Sequence, residues 1–523
     1  MTNFVNLRES IAAARLLELL SPNPPWNRSL WNIGLVLGLE ELHEACIAVT
    51  NGALGEPSLK KLCGSLMRQL GKEPTLSKVE KAHIQRHINP MPMAHSTSHH
   101  ALATFAAHLK KDYIKRWADV VRNDPEFSIE RFARSVAAHF LDDGFSSEHL
   151  HAYIKTRIDV DQPLSLADLC EELHVEMTTT PLRKFQVLLL FEKSPRISTG
   201  APSDWLKPPE VSEWLESHGF STTGIRPSVG LILDVHARDT YGAAMAGRNQ
   251  LDRFAARAAI ATGEQLRMLS FVWVNGANAP YPLDTNTRGV RVKALYRENL
   301  IFSPSASNNV DAALELLSHL DRSSPTAAIA GGWGAIEGLL GDPGNRSAAA
   351  DNLAALVACS LPRAELTSLS YKAEREYPEI AEALRPFGKR NRERSAHLAS
   401  LIQKNQLPDL SSLSDKAAVM RIKAILNAPS IEIASIKDAV AEALHRLYRQ
   451  RNMILHAGKL DSVALEGSLR TVSKLAGAGM DRIAHGQYVQ SLSPLALVAR
   501  ANLAISLIGK DTALDCVEML EHS

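Results

Sequence analysis

Three residues near the end of a helical pattern could carry out acid–base chemistry on a phosphate group. They are Arg451, Asn452 and His456, in the sequence RNMILH. Imidazole titrates near neutral pH, so His456 can move a proton to or from a reacting oxygen atom. The forked guanidinium of Arg451 matches phosphate oxygens and can stabilise the charge that grows on them. The amide of Asn452, four residues before His456, can orient the imidazole ring or hold the phosphate.

A long helix must position these residues. Its apolar positions recur at helical spacing and predict one buried stripe, made of Ile436, Val440, Leu444, Leu447 and Ile454. A further step of four from Leu447 reaches Arg451, so we expect this arginine on the core-facing side, where it needs a carboxylate, a phosphate or a water-filled cleft. Gly458 predicts the helix end. His456 then lies in the last turn, where the helix dipole favours the imidazolium form.

The spacing of Arg451 and His456 raises a geometric problem. On an ideal helix, residues five positions apart point in directions that differ by about 140°. Three solutions are open: the long arginine side chain wraps round the helix, the helix end is irregular, or a partner subunit completes the cleft. We favour a composite site formed in a dimer.

Two other segments have a similar spacing of arginine and histidine. Arg134 and His139 lie in RSVAAH, where serine follows the arginine and apolar helix positions surround it, which indicates a structural role. The stronger rival is Arg390 with Asn391 and His397, in GKRNRERSAH. Its high charge density is more typical of a solvated turn.

The segment with Arg451, Asn452 and His456 matches the R-x4–6-H motif of HEPN-domain ribonucleases, including the polar residue directly after the arginine. The flanking sequence LYRQRNMILHAG, which begins one residue before Tyr448, resembles the Apea-like branch of bacterial HEPN proteins.

A second segment is similar to an early helix of the same branch. GGWGAIEGLLGD at 331–342 has Trp333 and Glu337 in the matching places. Its glycines lack the Lys-Ser/Thr of a phosphate loop, so we expect them to serve helix packing. The resemblance covers roughly residues 305 to 515, and we find no match for the first 300.

This resemblance implies metal-independent RNA cleavage by a homodimer, with no cofactor. The RNA 2′-hydroxyl attacks the adjacent phosphorus and leaves a 2′,3′-cyclic phosphate, with Arg451, Asn452 and His456 as the catalytic residues. The biological role implied is that of an antiviral, abortive-infection or toxin effector. Beside such a motif, the basic side chains of the same region become a candidate RNA-binding track rather than a solvated face: Arg446, Arg449 and Lys459.

Two alternatives remain open. One is a non-catalytic HEPN module that binds RNA or a protein with a regulatory function in a defence or toxin–antitoxin system. The other is a metal hydrolase built on an N-terminal histidine cluster: His83, His87, His95, His99 and His100. His83 and His87 have the spacing of a zinc pair on a helix. However, HIQRH has no glutamate base and Pro90 follows closely, so a solvated, histidine-rich loop is the favoured interpretation.

Composition limits the class of protein. With 45% hydrophobic and 22% charged residues, the chain of 523 residues has an ordinary globular composition, and its net charge of +1 predicts no partner. The five cysteines are far apart, which argues against a disulfide framework and suits a reducing compartment. Apolar runs are much shorter than the roughly 20 residues of a membrane span, and the N-terminus does not resemble a signal peptide. We therefore expect a cytoplasmic protein with no membrane partner.

The pattern along the chain predicts a mainly α fold with three domains. Residues 1–165 read as an N-terminal helical domain, 166–302 as a small α+β domain and 303–523 as the HEPN helical bundle. Strands are expected in the branched aliphatic runs at 185–191, 229–239, 266–274 and 289–297, with helices between them from Pro208 to Gly219 and from Tyr241 to Thr262, the latter capped by Asp239 or Thr240 and ended by Gly263.

The last of these predicted strands is basic. In GVRVKALYR, valines alternate with Arg291, Lys293 and, further on, Arg297, which predicts a half-exposed strand with a positive outer face. We expect a polyanionic, phage-derived or protein trigger to dock here, with the histidine-rich loop at 83–100 of the N-terminal domain as the rival place, and residues 1–302 to restrain the nuclease.

Overall fold

The computed structural model describes residues 4–159, 164–193, 204–225, 228–283, 287–304, 309–510 and 514–521. Within these residues the predicted fold class is confirmed, because helices dominate and the strands form one small antiparallel sheet. The N-terminal helices are α1 (Leu7–Leu20), α2 (Leu35–Thr50), α3 (Glu56–Gly71), α4 (Lys78–Ile88), α5 (Thr97–Asn123), α6 (Ile129–Asp142), α7 (Ser147–Ile158) and α8 (Leu166–Thr179). The central elements are β1 (Arg183–Phe191), β2 (Trp205–Leu206), α9 (Pro208–Ser217), β3 (Gly230–Ala237), α10 (Thr240–Thr262), β4 (Met268–Val274), β5 (Tyr281–Pro282) and α11 (Lys293–Arg297).

The remaining helices belong to the C-terminal part. They are α12 (Asn309–Arg322), α13 (Pro325–Leu340), α14 (Ala348–Glu376), α15 (Pro378–Leu384), α16 (Asn391–Gln403), α17 (Leu413–Asn427), α18 (Pro429–Ala457), α19 (Leu465–Val489) and α20 (Pro494–Leu507). Two short 3₁₀ helices, Trp26–Arg28 and Arg385–Phe387, complete the described secondary structure.

The N-terminal helices surround two apolar cores. Helix α1 and helices α5 to α8 share one core, and helices α2 to α5 share the other. Helix α8 starts at the residue after Ser165, yet Leu166, Leu169 and Leu173 are fully buried in the first core. The N-terminal helical unit therefore extends through α8, beyond the expected boundary at residue 165.

The central sheet has the strand order β2-β3-β1-β4-β5, and each neighbouring pair is antiparallel. Side chains of β1 alternate between two cores, with Val187 packed under α10 and Leu188 packed under α9. The strands expected near 185, 229 and 266 are confirmed. So are the limits of α10, because Asp239 accepts a hydrogen bond from Gly242 N and Gly263 ends the helix at a φ of 70°.

The strand expected at 289–297 is wrong. Residues 293–297 form the short helix α11, and the segment before it lies on the C-terminal bundle instead of extending the sheet. The cause is that its backbone N–H groups donate hydrogen bonds to aspartate side chains that are distant in the sequence. Val290 N donates to Asp321 Oδ1 at 3.0 Å, and Ala294 N donates to Asp481 Oδ1 at 2.6 Å.

The C-terminal bundle is centred on α14 and α18, which pack against each other in the largest core. The stripe predicted for α18 is confirmed, since Val440, Leu444 and Leu447 are fully buried. The N-terminal helices pack directly on this bundle: Met453 of α18 lies in the core of α2 to α5, and Ala417 of α17 lies in the core of α1. Among the described helices, none is both long enough and apolar enough to span a membrane.

Candidate functional site

The C-terminal end of α18 has the form that the sequence predicts. Gly458 adopts the left-handed conformation, with a φ of 62°, which disfavours residues that carry a Cβ. Gly458 N donates to Ile454 O, and Lys459 N donates to Met453 O, each at 3.1 Å, so two carbonyl groups of the last turns are satisfied. His456 lies exposed in this last turn.

Arg451 and His456 meet at this end of the helix. Nη1 of Arg451 lies 3.0 Å from Nε2 of His456 and 2.9 Å from Oδ1 of Asn452. The side chain of Arg451 wraps round the helix, so within one chain it overcomes the angular separation of the two positions. Arg451 is half-buried rather than directed into the core, and its described side-chain partners are the amide and the imidazole of the motif itself.

The contact has a chemical direction. A guanidinium has five N–H donors and no acceptor, so Arg451 donates and Nε2 of His456 accepts in this arrangement. Asn452, only 6% exposed, uses its carbonyl oxygen to orient Arg451, whereas the sequence suggested that it would orient the ring or hold phosphate.

Arg446 and Arg449 do not form the predicted RNA-binding track. Their side chains are 4% and 1% exposed, and both Nε atoms donate to the carboxylate of Glu41 on α2, at 3.0 and 2.8 Å. Arg449 also pairs with Glu442 at 2.6 Å. Burial alone raises the pKa of Glu41, but the charges of Arg449 and Arg446 outweigh it and hold that pKa below its usual value. The two arginines therefore fasten α18 to the N-terminal helices.

Lys459, the third member of the predicted track, is half-buried beside the motif. Its Nζ lies 2.7 Å from Oε1 of Glu44 on α2, and this hydrogen bond raises the pKa of Lys459. The other carboxylate oxygen of Glu44 accepts a hydrogen bond from Ser462 at 2.5 Å. Helix α2 therefore holds both sides of the turn that follows His456.

A third ion cluster, between α3, α14 and α18, holds the middle of the motif helix. His445 Nε2 lies 2.8 Å from Asp351 Oδ1, and Lys61 Nζ lies 3.0 Å from Asp351 Oδ2 and 3.1 Å from the same His445 atom. Burial raises the pKa of Asp351, but the hydrogen bond and charge of His445, together with Lys61, lower it to about 2.

The residues matched in the early helix also reach the motif helix. Trp333 of α13 is fully buried, and its ring centroid lies 4.9 Å from that of Tyr448 on α18. Its indole N–H donates to Glu337 at 2.6 Å. The flanking residues that suggested the resemblance therefore form one contact cluster, three residues along the helix from Arg451.

The two rival segments have structural partners. His139 is buried in α6, which lowers its pKa to about 3, and Arg134 pairs with Glu130 at 2.6 Å. In the other segment, Arg390 caps the start of α16 and donates to Pro386 O at 2.8 Å, while Asn391 accepts from Tyr371 at 3.0 Å. The solvated turn expected there is instead mostly the helix α16.

The N-terminal histidines lie on two helices and the loop between them. His83 and His87 belong to α4, where their ring centroids are 5.4 Å apart, and His99 belongs to α5. The ring of His99 stacks on that of His43 of α2, with centroids 3.7 Å apart. Within the described ranges, no group of three or more His, Cys, Asp or Glu side chains has an arrangement that could hold a metal ion.

Sequence reasoning missed the carboxylates that hold the motif helix. Glu41 and Glu44 are spaced by three residues in a largely apolar stretch of α2, LVLGLEELHEAC, and both are buried. Two carboxylates on one face of a buried helix need cationic partners. That pattern is the signal that could have revealed their pairing with the basic end of α18.

The chain was compared with protein-family models, with curated proteins and with solved structures, and none of the three comparisons finds a match.

Proposed function

We propose that this protein is a metal-independent endoribonuclease of the HEPN type, whose catalytic residues are Arg451 and His456. The observation that carries the proposal is the 3.0 Å contact between Nη1 of Arg451 and Nε2 of His456, on the exposed end of a rigidly held helix. A phosphate that displaces the imidazole from the guanidinium would have a cation and a base side by side.

The reaction needs no additional reagent. Nε2 of His456 takes the proton of the RNA 2′-hydroxyl as its oxygen attacks the adjacent phosphorus. The bond between phosphorus and the 5′-oxygen then breaks, and that oxygen takes a proton from a histidine imidazolium, which replaces the proton removed from the 2′-hydroxyl. The products are a 2′,3′-cyclic phosphate and a 5′-hydroxyl end, so atoms and protons balance without water. Arg451 stabilises the charge that develops on the phosphate oxygens.

The surroundings of the motif support a pair of such sites in a homodimer. Large apolar side chains flank His456 and are about half exposed: Leu455, Leu460 and Val463. A second copy of the chain is the proposed occupant of this face, because the family resembled pairs its motifs across a cleft. A second His456 could then protonate the leaving 5′-oxygen while the first accepts the 2′-hydroxyl proton.

The half-buried Arg451 can contact an RNA phosphate, but the side chains of α18 and the turn after it do not form an extended basic surface for RNA. Of the cationic side chains that were expected to follow the motif, two are buried and Lys459 is paired with Glu44. We therefore propose that the site grips one phosphate at a time and that a role in antiviral defence or growth arrest follows from this cleavage.

The test is cleavage of a fluorescent RNA by purified wild type, His456→Ala and Arg451→Ala, with and without EDTA. We expect each variant to lose about 10²–10⁴-fold in rate, with melting curves like that of wild type and no effect of EDTA. His397→Ala is the matched control and should cleave normally. Variants that fold and cut at the wild-type rate would place the site elsewhere, and inert wild type would favour a non-catalytic binding module.

A cellular measurement complements the assay. Wild type and His456→Ala are expressed in bacteria, and total RNA is examined for fragments that end in a cyclic phosphate. We expect fragments and slowed growth with wild type alone. Intact RNA at equal protein levels contradicts the proposal.

A further inference from the structure

A partly open cavity of about 990 Å³ lies away from the motif helix. Its walls come from the loop at 23–27, the segment 287–297, helices α14 and α19, and the C-terminal residues 517–521. None of the residues that line it belongs to α18. This volume is at the upper end of the range for small-molecule sites and is large enough for a nucleotide.

The lining is strongly cationic. Six basic side chains face two carboxylates, an excess of four positive charges: Arg291, Lys293, Arg297, Arg363, Lys474 and Arg482 against Asp481 and Glu521. The chain as a whole carries only +1, so this concentration is local. A cavity with such walls focuses the field and attracts anions.

The two carboxylates are already committed to the fold. Glu521 lies within ion-pair distance of Arg363 and of Arg482. Asp481 accepts from Ala294 N at 2.6 Å and pairs with Arg297 at 3.3 Å. Neither carboxylate therefore neutralises Lys293 or Lys474, while Arg291 pairs with Asp321 outside the lining, at 3.4 Å.

Two lysines of the lining have no carboxylate partner among the described residues. Lys293 is exposed at the edge of the cavity, and Lys474 is held by the carbonyl oxygen of Pro24 at 2.9 Å. Burial, and then the charge of Arg291, lower the pKa of Lys474 to about 8. In addition, Nε of Arg482 is buried without a hydrogen-bond partner within the described part of the chain.

The basic segment is fixed in place against α19. Gly477 lets the backbone approach closely, since a Cβ at that position would lie 2.6 Å from Arg291 N. Gly289 takes a φ of 79° at the start of the segment. The backbone that carries the cations at 291–297 is thus fixed beside the cavity, so binding a charged ligand requires ordering of their side chains alone.

We propose that this cavity binds a small ligand that carries two or more phosphate groups, of the size of a nucleoside polyphosphate. The site uses Lys293 and Lys474 as the principal phosphate contacts and Arg291 as a supporting charge. It is independent of the nuclease site, because its residues lie on other elements.

Binding of inorganic pyrophosphate and of ATP to the full-length protein is measured by calorimetry at 0.15 M salt. At least one of them should bind to wild type, and Lys293→Glu and Lys474→Gln should each weaken that binding at least tenfold. Lys404→Glu is the charge-matched control. Asn391 at the start of α16 lines the cavity, whereas Lys404 lies just after the other end of this helix, about 20 Å away along its axis. This control should bind as wild type does.

Two results overturn the proposal: no binding of either probe at millimolar concentration, or equal binding by wild type and both lysine variants. His456→Ala separates this site from the nuclease, because it should bind the probe normally whether or not the wild type cleaves RNA.

Discussion

Arg451 Nη1 donates to His456 Nε2 at 3.0 Å, although the two residues start from positions about 140° apart on α18. The reach of the guanidinium, rather than a helix distortion, brings them together. In the proposed reaction this nitrogen accepts the substrate proton, so a bound phosphate would first have to draw the arginine away from it.

Substitution of Asn452 should reduce the cleavage rate less than substitution of Arg451 or His456. Its Oδ1 holds Arg451 at 2.9 Å, so Asn452→Ala frees the guanidinium without removing it. We expect about a tenfold loss in the cleavage rate, against about 10²–10⁴ for His456→Ala. Asn452→Asp keeps an acceptor at this place and should recover most of the rate. Equal losses in the alanine and aspartate variants would contradict an orienting role.

Glu41→Ala should destabilise the fold rather than change the chemistry alone. It leaves the buried guanidiniums of Arg446 and Arg449 without their shared carboxylate. Loss of one partner of a buried ion pair costs about 3–5 kcal/mol, which urea unfolding can measure. Glu56→Ala, at an exposed position on the neighbouring α3, is the control and should change stability by less than about 1 kcal/mol. A Glu41 variant as stable as the control rules out this role.

Part of the free energy of unfolding should depend on pH through the cluster of Asp351, His445 and Lys61. The pKa of Asp351 is about 2 in the fold, below its unfolded value of about 3.9, so the contribution is present above pH ~4 and declines as the pH falls towards 2. Asp351 is 45% exposed, so solvent screening reduces it to about 1 kcal/mol. Unfolding of wild type and Asp351→Asn, compared from pH 6 to 3, should show a difference that shrinks below pH 4. A difference that grows in acid contradicts this sign.

Glu44→Ala should raise RNA cleavage in the full chain. This carboxylate holds Lys459 and Ser462 on the turn beside His456, and its loss frees the turn and a cation next to the site. One to two hydrogen bonds correspond to about 1–1.4 kcal/mol, or roughly a fivefold to tenfold change. The fluorescent RNA assay measures it, and the double variant with His456→Ala should stay inactive. Reduced cleavage by a well-folded Glu44 variant would show that α2 assembles the site instead of restraining it.

A fragment of residues 303–523 should fold poorly. Without α2 it loses Glu41 from the buried arginines, and Met453 loses its apolar neighbours. We expect it to aggregate or melt well below the full chain, in a thermal scan of both proteins. A stable fragment that cleaves RNA faster than the full chain would instead identify the upstream residues as a pure restraint.

Local patterns predicted much of the fold because their causes are local. The apolar stripe of α18, the cap at Gly458 and the cap at Asp239 each follow from a few neighbouring residues, and all are confirmed. The errors have distant causes. Arg446 and Arg449 look like a basic surface until Glu41, about 400 residues earlier, is placed against them.

The basic segment at 289–297 shows the same limit. Alternating valine and arginine fit a strand, and only the positions of Asp321 and Asp481 show why its amides bond elsewhere. The cavity could not be predicted either, because its cations come from three parts of the chain whose proximity no spacing pattern encodes.

Burial of Arg446 and Arg449 changes how a selection for inactive mutants should be interpreted. If the protein is the toxic nuclease proposed above, survivors will include substitutions at these two arginines and at Glu41, beside those at Arg451 and His456. Substitutions at the two buried arginines and at Glu41 act by lowering the amount of folded protein in the cell. Sorting survivors by protein abundance before sequencing would therefore separate the anchors of the helix from the residues that cut.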